Sequence, residues 1–285
     1  FYVSHVDDRR DYGAVIVEEG RLLGIREKTE SGPGIINLNL AHLPKEFMDY
    51  VDIEKLKPSS RGEYEIADVF NRFANDHELK VREVTSWQTV TYFWNLIDVQ
   101  RMFIKEILEG RLKLKQLREF DGYRLEREKD MIIHNDAEVS EHSDVKGSFL
   151  GPGVRIEKFA KVYDSVLEGF NRVGTSEIKR SVIMKGTNVP HFNYVGDSVL
   201  CEHVNLGAGT KLANLRFDEA SVQVQTLKGR IDSGRRKLGS CIGANTKLGV
   251  NVSVNCGVLI APNSHVLPQT FVKRNIVDIM GKVLS

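Results

Sequence analysis

The sequence predicts a mixed α/β domain followed by a parallel β-helix of triangular coils. Two observations carry the second part and one carries the first. From Ile242 onward every sixth residue is aliphatic: Ile242, Leu248, Val254, Ile260, Val266 and Val272. Four places after the first five of these stand Thr246, Val252, Val258, Ser264 and Thr270, each small or β-branched. A helix needs apolar spacing near 3.6 and a half-buried strand needs 2, so a period of six fits neither. It fits a chain that makes a short strand, turns a corner and repeats, with Gly243, Gly249, Asn255 and Ala261 easing the corners. Three hexads close one coil, and stacked coils pair as parallel strands about 4.8 Å apart. Each coil then buries its face only against its neighbours. Upstream of residue 110, strand-like and helix-like periods alternate, which reads as α/β.

In order, Ala14–Val17 and Leu22–Ile25 flank the turn Glu18-Glu19-Gly20-Arg21 and read as a hairpin. Ile35 to Leu40 reads as another strand. Arg61 to His77 reads as a helix with Ile66, Val69, Phe70 and Phe73 on one face. Val81 to Val84 is a short strand, and Tyr92 to Leu108 is a second amphipathic helix. A charged stretch follows, with Arg111, Lys113, Lys115, Arg118 and Glu119. The predicted organisation is a partial α/β domain over 1–110, a linker over 111–131 and the β-helix over 132–285. Its first aliphatics are Ile133, Val139 and Val145, then Leu150, Ile156 and Val162. A second run reads Tyr194, Leu200, Leu206, Leu212, with Ser198, Val204 and Thr210 four places on. Between Ala213 and Ser240 the ladder lapses into a polar, basic segment (Arg216, Lys228, Arg230, Arg235, Arg236, Lys237). That segment reads as a loop thrown out from a corner, and solenoids carry function on such excursions.

Composition excludes several classes. The formal net charge is +1, with 40 basic and 39 acidic residues, and no basic block marks nucleic acid as a partner. No apolar run approaches the roughly 18 residues of a membrane span. Cys201, Cys241 and Cys256 lack a disulfide-type spacing, so a reduced, cytoplasmic setting is expected. His134, His142, His203 and His265 show no metal-ligand spacing, and no metal is expected at the β-helix. The start at Phe1 rather than at methionine leads us to expect a preceding segment.

Several motifs resemble known families. Tyr12-Gly-Ala-Val-Ile-Val17, Ile25-Arg-Glu-Lys28, Arg61-Gly-Glu-Tyr-Glu65 and Trp87 before a helix resemble the second half of sugar-1-phosphate nucleotidyltransferases. The resemblance implies part of a Rossmann-like sheet. It also brings departures. The Gly-rich loop that cradles the triphosphate has no counterpart. The sugar-contact Asn is missing at Gly32-Pro33-Gly34. The Mg²⁺-binding carboxylate of the family falls at Thr89, where a neutral hydroxyl is a poor ligand for a hard cation. Mg²⁺ is therefore implied only for an intact nucleotidyltransferase half. Glu27 and Lys28 could mark the old sugar side or form a surface ion pair.

The run His191-Phe-Asn-Tyr194-Val-Gly-Asp197, then Val204-Asn205-Leu-Gly207-Ala208-Gly-Thr210, then Ala213-Asn214, is similar to bifunctional amino-sugar-1-phosphate acetyltransferase/uridylyltransferases, the archaeal type above all. That resemblance implies a left-handed parallel β-helix of hexapeptide repeats. It implies acetyl transfer from acetyl-CoA to the 2-amine of an amino-sugar 1-phosphate, and a homotrimer with sites between neighbouring prisms. By the same resemblance His191 is the general base, since an imidazole titrates near neutrality and can take the proton of the attacking amine. Tyr194 positions the sugar and could serve the oxyanion. Lys179 or Arg180 meets the phosphate, and Asn205 and Asn214 bond the sugar or steady the base. Lys228 stands for a loop lysine. Gly207, Ala208 and Gly249 line the groove for the pantetheine arm, and Lys273 or Arg274 meets the CoA phosphates. Each has a plainer alternative: Asn205 and Asn214 as corner residues that tolerate positive φ, Lys179 and Arg180 as solvated cations, the glycines as steric relief. Two other functions stay open, a sugar-nucleotide pyrophosphorylase of which this is the C-terminal part, and a β-helix that only trimerises or regulates.

Overall fold

The computed structural model describes residues 1–27, 31–52, 54, 56–59, 62–114, 121–227, 229–276 and 283–284. They fall into two compact units, Phe1–Trp87 and Gln88–Ser285.

The first unit is a sheet of β1 (Tyr2–Val6), β2 (Gly13–Glu18), β3 (Arg21–Glu27), β4 (Gly34–Asn37) and β5 (Arg82–Glu83), in the order β3-β2-β4-β1-β5. Only β1 and β5 pair in parallel. The hairpin turn carries φ of 48° at Glu19 and 76° at Gly20, the left-handed pair whose twist matches the flanking strands. Helix α1 (Ile66–Asp76) lays Ala67, Val69, Phe70 and Phe73 on Val3, Val15, Leu22 and Ile25. Ile66, expected on that face, is exposed, because it is the first helical residue and sits beyond the turn that meets the sheet.

In the second unit, helix α2 (Phe93–Leu108) starts where Asn95 Oδ1 accepts the backbone N–H groups of Thr91 and Tyr92 at 3.1 and 2.9 Å. The sequence reading groups this helix with the α/β domain; in the structure it lies along the β-helix. The reason is visible in one face of the prism. Ile132, Phe149, Val166, Val182, Val199, Cys241 and Leu259 stack in register on it and point outward. These apolar side chains would otherwise face water. Trp94, Ile97, Ile104 and Ile107 of α2 cover them.

The prism has two further faces. One stacks Glu138, Arg155, Arg172, Asn188, Asn205, Lys247 and His265. The other stacks Asp144, Lys161, Glu177, Tyr194, Lys211, Ser253 and Phe271. Between these polar residues the inward ladder runs unbroken through Leu150, Ile156, Val162, Leu167, Val173, Ile178, Ile183, Val189 and Val195 to Leu212, nearly all without solvent exposure. An antiparallel strand, β6 (Tyr123–Glu126) on β7 (Met131–His134), closes the first coil.

Tyr194 departs from its expected place in that ladder. Val195 points inward and Tyr194 points out. The cause is the next corner: Val195 and Leu200 are five residues apart, as are Val162 and Leu167, so counting back six from Leu200 lands on Tyr194. The register shift between Thr175 and Glu177 belongs to the coil before, where Val173 to Ile178 is one residue shorter than Val189 to Val195. A one-residue error of phase puts a side chain on the opposite side of its strand.

The segment 213–240 leaves the prism as a loop, as its composition implies. Leu200 stacks on Ile242, Leu206 on Leu248 and Leu212 on Val254, as if the excursion were absent. It contains a hairpin, Gln223–Thr226 against Gly229–Asp232. It also folds back, burying Val222, Val224 and Leu238 with Trp94 and Ile97, and Arg235 bonds Asp98 of α2.

Candidate active site

The corner that follows the third face carries a column of polar residues. Each stands two places beyond an inward aliphatic of the same ladder: Arg180 after Ile178, Asp197 after Val195, Asn214 after Leu212, Cys256 after Val254 and Arg274 after Val272. Arg180 Nε and Nη2 donate to the two oxygens of Asp197 at 2.6 and 2.8 Å. The side chains of this pair are 24% and 7% exposed, so the ion pair is largely dry. The carboxylate holds the Arg180 guanidinium above its ordinary pKa. Asn214 Nδ2 then donates to Asp197 Oδ2 at 2.6 Å and to the Tyr194 hydroxyl oxygen at 3.2 Å. Arg180, Asp197, Asn214 and Tyr194 thus form one chain across three coils.

The glycine of the Tyr-x-Gly-Asp run has a specific reason. A Cβ on Gly196 would lie 2.6 Å from Asn214 Nδ2 and 2.7 Å from the Tyr194 hydroxyl. Only hydrogen leaves room for those two groups to meet.

His191 is exposed, at the corner between the second and third faces. Its carbonyl accepts from Gly209 N–H at 2.9 Å, which anchors the backbone and leaves the ring outside. Phe192, beside it, is exposed at φ 52°, and its carbonyl accepts from Lys211 Nζ. Thr175, Glu177, Phe192, Tyr194 and Lys211 line a shallow groove along the third face.

The other expected residues divide between these two corners. Lys179 is on the third face, paired with Glu177 and 5.3 Å from the Tyr163 ring centroid. Both expected phosphate ligands are thus paired, Lys179 at the more exposed side chain and Arg180 at the drier one. Asn205 is exposed on the second face, away from Tyr194. Neither Asn205 nor Asn214 has positive φ; on the Asn214 corner Asp164, Arg180 and Asp197 are left-handed, at 48°, 48° and 49°. The corner-conformation account therefore fails for both asparagines.

Gly207, Ala208 and Gly249 lie on the His191 corner. A Cβ on Gly207 would come within 2.5 Å of the Gly249 backbone, and one on Gly249 within 2.5 Å of Pro268 N. Close stacking of coils accounts for both glycines. Lys273 and Arg274 lie on the Asn214 corner and, with Arg216, Arg230 and Cys256, line a cavity of about 690 Å³ walled by the excursion. Lys28 and Lys228 lie outside the described residues. Sequence reasoning missed the part played by Asp197 and the shortened coil before it; the signal for the latter is that Thr175 to Glu177 spans one residue fewer than His191 to Tyr194.

No protein-family model matches the chain. It is 36% identical over 290 residues to a bifunctional sugar-1-phosphate nucleotidylyltransferase/acetyltransferase of Sulfurisphaera tokodaii, covering 95% of this chain and 67% of that protein. It is 29% identical over 280 residues to the bifunctional protein GlmU of Methanocaldococcus jannaschii, covering 96% of this chain and 66% of that one. The chain thus spans about two thirds of the length of these relatives. Among solved structures, the acetyltransferase domain of PglB from Neisseria gonorrhoeae matches over 71% of this chain and 82% of that one, at 14% identity and a TM-score of 0.28, a score that carries no argument.

Proposed function

This chain belongs to the family of bifunctional sugar-1-phosphate nucleotidylyltransferase/acetyltransferases, and from that premise we propose that its β-helix is an acetyl-CoA-dependent N-acetyltransferase acting on glucosamine or galactosamine 1-phosphate. The observation that carries the reading is that His191 and Tyr194 both stand on the outer surface of one strand, His191 exposed and Tyr194 lining the groove of the third face.

The chemistry uses these groups directly. The neutral 2-amine attacks the thioester carbonyl, forming the C–N bond, and His191 takes the proton the nitrogen sheds. The oxyanion that forms accepts a hydrogen bond from the Tyr194 hydroxyl. Collapse breaks the C–S bond, and the CoA thiolate leaves with the proton from His191. Lys179 meets the sugar phosphate, Asn205 serves the sugar, and Asn214 acts through Tyr194. Lys273 and Arg274 meet the CoA phosphates; the cavity they line falls in the usual size range of ligand pockets and is also lined by Arg216 and Arg230.

The active form is a homotrimer, with each site completed by a neighbouring prism. A cytoplasmic setting suits three free thiols. Among the described residues no helix is long and apolar enough to cross a membrane.

Release of free thiol from acetyl-CoA with glucosamine 1-phosphate or galactosamine 1-phosphate tests the proposal. No turnover with either sugar, or undiminished turnover after His191→Ala, removes it. The nucleotidyltransferase activity in the relatives' name is a separate question, answered by pyrophosphate release from UTP or dTTP in the full-length protein. A β-helix that only trimerises predicts no calorimetric binding of acetyl-CoA.

A further inference from the structure

We propose that Asp197 is a positioning residue that fixes the Tyr194 hydroxyl as a hydrogen-bond donor toward the substrate, acting through the side-chain amide of Asn214. The inference rests on the acetyltransferase reading and deepens it.

Donors and acceptors along the chain fix its direction. An ionised carboxylate only accepts, so the group of Asn214 that faces Asp197 must be its NH₂, never its carbonyl. The 2.6 Å contact between Asn214 Nδ2 and Asp197 Oδ2 consumes one of the two amide hydrogens. The second hydrogen points at the Tyr194 oxygen, 3.2 Å away. Tyr194 therefore receives, and among the described residues its hydroxyl has no other hydrogen-bond partner. Its own hydrogen is left to point away from Asn214, to whatever lies in the groove that Tyr194 lines. Were Asn214 flipped, its carbonyl would accept the tyrosine hydrogen and the donor would be lost.

Three features keep the chain in this state. Arg180 binds both oxygens of Asp197, which holds the carboxylate charged and in one rotamer. Asp197 is buried, so water does not compete for it. Gly196 leaves the space in which amide and hydroxyl meet. Asp197 itself touches neither sugar nor thioester; it acts on the oxyanion only through Asn214 and Tyr194.

A double-mutant cycle in the thiol-release assay tests this. Asp197→Asn permits the flipped amide, and we expect kcat to fall about 10- to 100-fold with little change in KM for acetyl-CoA; loss of a whole oxyanion donor costs about 10²–10³. Tyr194→Phe removes the donor outright. The decisive value is the double variant, which should match Tyr194→Phe alone within about twofold, since Asp197 has nothing left to orient. A purely structural Asp197 would instead slow both backgrounds by the same factor, and that multiplicative result would overturn the inference. Should Asp197→Asn fail to fold by circular dichroism, Asn214→Leu breaks the same chain one link later and the cycle is read the same way. A wild-type chain without thiol release would remove the acetyltransferase reading and the inference together. A multiplicative cycle in an active wild type would remove the inference alone.

Discussion

Asp197 and Arg180 sit one coil apart on the same corner and meet through two hydrogen bonds, while both backbones hold left-handed conformations. The pair ties adjacent coils together at the point where the polar chain to Tyr194 begins. Arg180→Ala leaves a buried carboxylate without its partner. We expect a loss of about 3 kcal/mol in urea unfolding, the range for breaking a buried pair from one side. A loss below ~0.5 kcal/mol would mean the pair is solvated.

Gly196→Ala separates packing from chemistry. The added methyl must displace the Tyr194 hydroxyl or the Asn214 amide, both ends of side chains rather than backbone. Activity should drop at least roughly tenfold, as for a displaced oxyanion donor. The melting temperature should move little. An active Gly196→Ala enzyme would show that the contact between Tyr194 and Asn214 is dispensable.

Gly207→Ala should do the reverse. Its methyl meets the Gly249 backbone at 2.5 Å, which cannot swing aside. Overpacking of this kind costs about 1–3 kcal/mol. Thermal unfolding should register the loss before KM for acetyl-CoA changes. A stable variant with a raised KM would instead assign Gly207 to the pantetheine groove.

His191→Ala removes an exposed side chain that packs on nothing in the interior. Folding stability should stay within about 0.5 kcal/mol. Acetyl transfer should fall about 10²- to 10⁴-fold, the usual contribution of a positioned general base. Equal losses of stability and activity would point to a corner residue.

Cys256 reports on the cavity by alkylation. Burial, the largest influence on it, pushes its thiol pKa up, so at any given pH less thiolate is present than in a free cysteine. Iodoacetamide labelling followed by peptide mass analysis should be slower than for a model thiol at pH 8 and should quicken as pH rises. Acetyl-CoA should slow it further, because Cys256 shares the cavity with Lys273 and Arg274. Labelling unaffected by saturating acetyl-CoA would place the CoA phosphates elsewhere.

Much of this was legible in the chain. The six-residue ladder from Ile242 to Val272 lies inward as its period requires, because no other backbone keeps those aliphatics on one side. The excursion was legible as a gap in that ladder. Tyr194 was misplaced for a local reason: the corner from Val195 to Leu200 takes five residues, so a strict count of six back from Leu200 lands one residue before the true inward position. The site motif was recognisable as a string, yet which carboxylate each cation meets was not. Lys179 and Arg180 are adjacent in sequence, and only the corner between them sends Arg180 to Asp197.

The amino-acid sequence by itself determined the column, since a strict short-range period needs only nearest-neighbour stacking to be satisfied. Tertiary structure alone decided what stands beside what. It laid α2 on the apolar outer face, where each element covers what the other cannot leave in water. It also brought Asn214 onto Asp197 and Tyr194, from two stretches of chain, into a single line of donors and acceptors. Such a line depends on angles and distances across coils, and those exist only once the coils are stacked.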